Sequence, residues 1–119
     1  MRGKVFLVQW NVVSAKARAG ELRSDGWTVD VESEDGGRAY KLIKANPPDI
    51  VLIDISRKLS HDRELAFVLR NVKATRNIPI IFVDGKEEAA ANLRNKVPDA
   101  VFTTSYELKK ALVKFAKSG

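Results

Sequence analysis

The chain has 119 residues, 45% apolar and 30% charged, enough for one domain with its own core, and residues 1–119 are read as that domain. With no Cys and a single His, His61, it excludes a disulfide scaffold, a thiolate zinc site and a multi-His metal centre. The net charge of +6 is mild and spread along the chain; no apolar run is long enough to cross a bilayer, and Met1-Arg2-Gly3 leads straight into a strand-like run, so a cytoplasmic protein is expected.

Lys4-Val-Phe-Leu-Val8 is a short apolar strand ending at Gln9. Ser14 is placed to cap a helix over 15–25 that buries Ala15, Ala19 and Leu22, with Gly26 just past its end. Trp27 to Val31 alternates as a strand does, and Trp27 reads as a packing residue. Gly36-Gly37 lacks the spacing of a phosphate-binding loop and reads as a turn opening a helix with Ala39, Leu42 and Ile43 on one face, stopped by Pro47-Pro48. Ile50-Val-Leu-Ile53 is an aliphatic run ended by Asp54, as in a parallel strand covered on both faces. A polar loop follows from Ser56 to His61, which leaves His61 exposed. Asp62-Arg63-Glu64 reads as a capped, charged first turn before Leu65, Val68, Leu69 and Val72 at helical spacing. Pro79 to Val83 is a strand ended by Asp84-Gly85, and a short helix follows near 87–96. Ala100-Val-Phe102 is the last strand. Thr104-Ser-Tyr-Glu107 fits a capping box for a final helix burying Leu108, Ala111, Leu112 and Phe115.

Five βα units in succession imply an α/β fold, a five-stranded parallel sheet between helical layers, in the flavodoxin-like order. Its working crevice lies beyond the carboxyl ends of the strands. Those ends carry Gln9-Trp10-Asn11, Asp54, Asp84-Gly85 and Thr103-Thr104. With these come Glu34-Asp-Gly-Gly-Arg-Ala39, Pro48-Asp-Ile-Val-Leu-Ile-Asp-Ile55 and Ile78-Pro-Ile-Ile-Phe-Val83. In that order the set resembles the receiver domain of response regulators, over the whole chain.

The resemblance implies that Asp54 matches the phosphoacceptor aspartate. It also shows departures. Receivers hold Mg²⁺ with two acidic residues after the first strand, where Gln9 and Trp10 stand here. Gln offers one neutral carbonyl and Trp no ligand, whereas the ion needs anionic oxygen. The Ser or Thr ending the fourth strand is replaced by Asp84, the Lys after the fifth by Thr104 and the next Pro by Ser105; the switching aromatic position falls on Val101. Two carboxylates with no cation assigned to them disfavour an incoming phosphoryl group, unless Arg57 or Lys58 swings in. Two readings of the carboxylates stay open: with Asn11 they form a minimal oxygen set for a cation, or Asp84-Gly85 is a turn. Trp10 either stacks on a flat ligand or plugs the space of the lost metal site. Tyr106, Lys109, Lys110, Lys114 and Lys117 lie on or beside the outer face of the last helix, which is either a solvated surface or a docking face.

The expected protein is an atypical, degenerate receiver of two-component phosphorelay signalling. It is not an enzyme, has no cofactor and no attached output domain, and works mainly as an interaction module with impaired Mg²⁺-dependent phosphorylation. The resemblance implies a histidine kinase or downstream effector as partner, or a homodimer through the fourth helix, fifth strand and fifth helix. The alternatives are a working receiver phosphorylated on Asp54 and, more weakly, a basic nucleic-acid-binding protein, since no aromatic residues interleave with the lysines.

Overall fold

The aliphatic runs of the sequence pair with one another because no other arrangement covers both of their faces. In a computed structural model, which describes residues 2–116, the chain runs β1 (Gly3–Val8), α1 (Val12–Ser24), β2 (Trp27–Glu32), α2 (Gly36–Ala45), β3 (Ile50–Asp54), α3 (Leu59–Asn71), β4 (Ile80–Val83), α4 (Glu87–Lys96), β5 (Val101–Thr103) and α5 (Leu108–Val113). All strands are parallel, in the order β2-β1-β3-β4-β5. The chain steps from β1 outward to β2 and then back across to β3, so the order reverses between β1 and β3 and opens a crevice there.

Strand side chains alternate between the two faces. Phe6, Val8, Val51, Ile53, Ile80 and Phe82 pack with Ala39 and Ile43 of α2, Leu65 and Leu69 of α3 and Leu93 of α4. Val5, Leu7, Ile50, Leu52, Ile81 and Val83 pack with Ala19 and Leu22 of α1 and Leu108 and Leu112 of α5. Three layers result, and the central strands are buried on both sides. Among the described residues no helix is long and apolar enough to cross a membrane.

Several boundaries and burials differ from expectation. Asn11, not Ser14, caps α1: its side chain accepts from the Ser14 amide at 2.9 Å, and the helix begins at Val12 and ends at Ser24. Gly26 follows that helix at φ +97, a region L side chains rarely adopt. Leu42 is half-exposed, because the stripe that faces the sheet is Ala39 and Ile43. α3 starts at Leu59, so His61 lies in its first turn, still exposed, and the polar loop is shorter than expected. β5 runs Val101–Thr103, one residue later than the sequence reading. Thr104 Oγ1 accepts from the Glu107 amide at 3.3 Å, but α5 spans only Leu108–Val113 and Phe115 packs beyond its end. Lys117 lies outside the described residues.

Candidate functional site

The crevice between the strand ends is a cavity of about 540 Å³, and Gln9, Trp10, Asn11, Asp54, Asp84 and Ser105 all line it. Asp54 is the last residue of β3 and is buried, and Gln9 follows β1 and is buried beside it. Asp84 follows β4 at φ 61, in the left-handed region, which costs a residue with a Cβ about 1–2 kcal/mol. Gly85 comes next, where an added Cβ would collide with the Ile55 side chain.

The cation missing from the sequence reading is Arg18. It rises from α1, and its side chain is only 13% exposed. Nε donates to Gln9 Oε1 at 2.9 Å. Nη2 lies 3.2 Å from Asp54 Oδ2, 3.2 Å from Asp84 Oδ2 and 3.3 Å from Ser105 Oγ. The other Asp54 oxygen, Oδ1, accepts from the Ser56 amide at 2.9 Å and its hydroxyl at 2.5 Å. Asp84 Oδ1 accepts from the Ser105 amide at 2.7 Å, and the Ser105 hydroxyl donates to Oδ2. Burial acts to raise the Asp84 pKa, but the Ser105 hydroxyl and amide and the Arg18 guanidinium outweigh it and hold the carboxyl below its ordinary value.

Arg18 was legible in principle. It shares the 15, 18, 22 face with buried Ala15 and Leu22, and a charge inside an apolar stripe is buried only when it is paired. The structure also corrects the fifth-strand assignment. Ser105 enters the crevice, whereas Thr104 lines a separate surface hollow with Phe82 and Phe102. Arg57 lines the crevice mouth but is exposed, as is Lys58, and neither forms an ion pair among the described residues. Asn11 spends its side-chain oxygen on the α1 cap.

Trp10 lies under the crevice, nearly buried, within the core shared by α2 and α3. Its indole Nε1 donates to Asp62 Oδ1 at 2.7 Å, and its ring centroid lies 5.6 Å from that of His61. Asp62, expected in a capped, charged first turn, is 0% exposed, and its Oδ2 has no hydrogen-bond partner among the described residues. Burial, helped by the charge of Asp54 and opposed by the Trp10 hydrogen bond, pushes its pKa up to about 8. Its position three, four and seven residues before Leu65, Ala66 and Leu69 carried the same signal as Arg18: a charge on the buried face.

On the outer surface Tyr106 is 98% exposed. Lys109 and Lys110 of α5 and Lys114 just after it are exposed, with Lys109 3.6 Å from Asp25, and Val101 is half-buried.

The architecture is that of response-regulator receiver domains. The chain is similar to the chemotaxis response regulator CheY4 of Vibrio cholerae (17% identity over 97% of this chain and 99% of that one, TM-score 0.78). It is similar to the receiver domain of a sensor histidine kinase from Pseudomonas aeruginosa PAO1 that carries a magnesium ion in its active site cleft (20%, 97% and 98%, TM-score 0.75). It is also similar to the N-terminal domain of a response regulator receiver protein from Methanoculleus marisnigri (21%, 92% and 93%, TM-score 0.69). At these identities the likeness is one of fold. No family model matches the sequence, and no curated protein matches it.

A magnesium ion like that of the Pseudomonas aeruginosa domain does not fit the residues present. Gln9 supplies one neutral oxygen, already bonded to Arg18; Trp10 presents a donor; and Asp54 and Asp84 each give an oxygen to the guanidinium. Among the described residues no three acidic, His or Cys side chains are grouped to hold a metal ion.

Proposed function

We propose that the chain, over residues 1–119, is an atypical receiver of two-component signalling, a cytoplasmic pseudo-receiver that acts by docking to other proteins rather than by Mg²⁺-dependent phosphoryl transfer. The observation that carries this reading is the commitment of Asp54: Oδ2 is held by Arg18 and Oδ1 by Ser56. A phosphoacceptor needs a free carboxylate oxygen and cations that neutralise the incoming phosphoryl charge. Here the cation touching Asp54 also serves Asp84, so the pair of carboxylates outweighs it. The protein is then a binding module and not a catalyst. Its docking face is exposed Tyr106, Lys109, Lys110 and Lys114 with half-buried Val101 beneath them, a basic surface at the α5 edge suited to an acidic patch on a histidine kinase or effector, or to a second copy through α4, β5 and α5.

The test is an amide NMR titration with Mg²⁺ and then beryllofluoride, with the Trp10 and Trp27 indoles as reporters. The expected result is no shift at Gln9, Asp54 or Asp84 at millimolar Mg²⁺. Shifts there, followed by movement of Val101–Lys110 on adding beryllofluoride, would overturn this reading in favour of a working receiver phosphorylated on Asp54.

A further inference from the structure

We infer that Arg18 is the resident cation of the crevice, a tethered guanidinium that takes the place of a free metal ion and fixes the loop after β5 in one position. This rests on the reading above that the site works without a divalent cation. Four oxygens from four separate parts of the chain converge on this one side chain: Gln9 after β1, Asp54 ending β3, Asp84 after β4 and Ser105 after β5. Three of them meet at the single atom Nη2, at 3.2, 3.2 and 3.3 Å, the convergence of acceptors on a point that a cation site requires. Asp84 holds a left-handed backbone while it serves the cluster, strain of the kind that persists where the surroundings impose it. Ser105 closes the arrangement, accepting from Arg18 and donating to Asp84, so the same guanidinium anchors the segment that leads to exposed Tyr106.

A cation built into α1 is never released, so the crevice has neither a metal-free nor a metal-loaded state to alternate between. The position of the Ser105–Glu107 segment then depends on the charge at residue 18 and not on ions in solution. Removing that charge leaves Asp54 and Asp84 facing each other with Gln9 and Ser105, an oxygen set open to a divalent ion.

The experiment compares the full chain with R18Q and R18K, using Mn²⁺ as the paramagnetic probe and Mg²⁺ for thermal unfolding. In R18Q, Mn²⁺ is expected to broaden the amides of Ser56, Asp84 and Ser105 with an affinity at least about tenfold above the unaltered chain, equivalent to roughly 1.4 kcal/mol. Mg²⁺ should raise its Tm, and hydrogen exchange at Ser105–Glu107 should quicken. R18K, which keeps a cation without the fork, should stay closed to both ions, a result that a merely structural role for Arg18 does not require. The Tm readout serves even if R18Q is weakly folded. If R18Q takes up neither ion while the unaltered chain also takes none, the resident-cation inference fails and the docking reading stands. If the unaltered chain itself binds Mn²⁺ in the crevice, both fail.

Discussion

A carboxyl group that folding removes from water holds its proton more tightly, and Asp62 has one hydrogen bond to set against complete burial. In the folded chain its pKa is about 8, against an ordinary 3.8. The folded state therefore keeps a proton that the unfolded chain releases. The stability from Asp62 is complete below pH 3.8 and is lost as pH rises through 8, by at most about 1.4 kcal/mol per pH unit in between. Glu32 has the opposite sign: the Arg38 side-chain hydrogen bond, with help from the Glu34 and Asp35 amides and against burial, lowers its pKa from 4.5 to about 2. Its contribution is present above pH 4.5 and lost as pH falls through 2. Denaturant unfolding across pH is expected to show a decline toward the alkaline side that Asp62→Asn removes, with the acid limb unchanged. An alkaline decline that persists in that variant would mean that Asp62 does not hold the proton.

At the scale of the element, helix starts were harder to place than helix faces. Ala15, Ala19 and Leu22 face the sheet as their spacing requires, yet the cap moved from Ser14 to Asn11. Both residues are good caps, and the choice between them depends on where the chain leaves β1, which is a property of the crevice and not of α1 alone. Asn11→Ala should destabilise the protein by about 1 kcal/mol, whereas Ser14→Ala should cost only a few tenths, since Ser14 contributes only its backbone amide to the cap. Equal losses in denaturant unfolding would contradict the assignment. α3 is the contrasting element. Lys58 enters it at φ 48 with no side-chain cap, so the capped first turn read at Asp62 lies inside the helix; His61 stays exposed as expected, and Asp62 is buried.

Over the whole molecule, stability rests on the doubly covered sheet. Leu52 in the central strand β3 is 0% exposed and packs toward α1 and α5. Leu52→Ala is expected to cost about 2–5 kcal/mol, because cavity formation adds to lost burial. Leu42→Ala, once expected at a core position but found 45% exposed, should change stability by about 0.5 kcal/mol or less. Chemical denaturation of the two variants decides between the patterned and the observed core.

The five strand-like runs at 4–8, 27–31, 50–53, 79–83 and 100–102, each followed by a helical stripe, were sufficient to imply a parallel five-stranded sheet and to place Asp54 and Asp84 at its working edge. Those features follow from local periodicity, because burial on two faces is written in every residue of a run. The partners of those carboxylates could not be read in the same way. Arg18 reaches Asp54 across 36 positions and Asp84 across 66, and Trp10 reaches Asp62 across 52. Such contacts exist only after α1 and α3 have docked on opposite faces of the sheet. Tertiary structure therefore decided that the crevice carries its own cation and that Asp62 in the first turn of α3 is buried, since a charge on an apolar helical face finds its compensating partner only through packing.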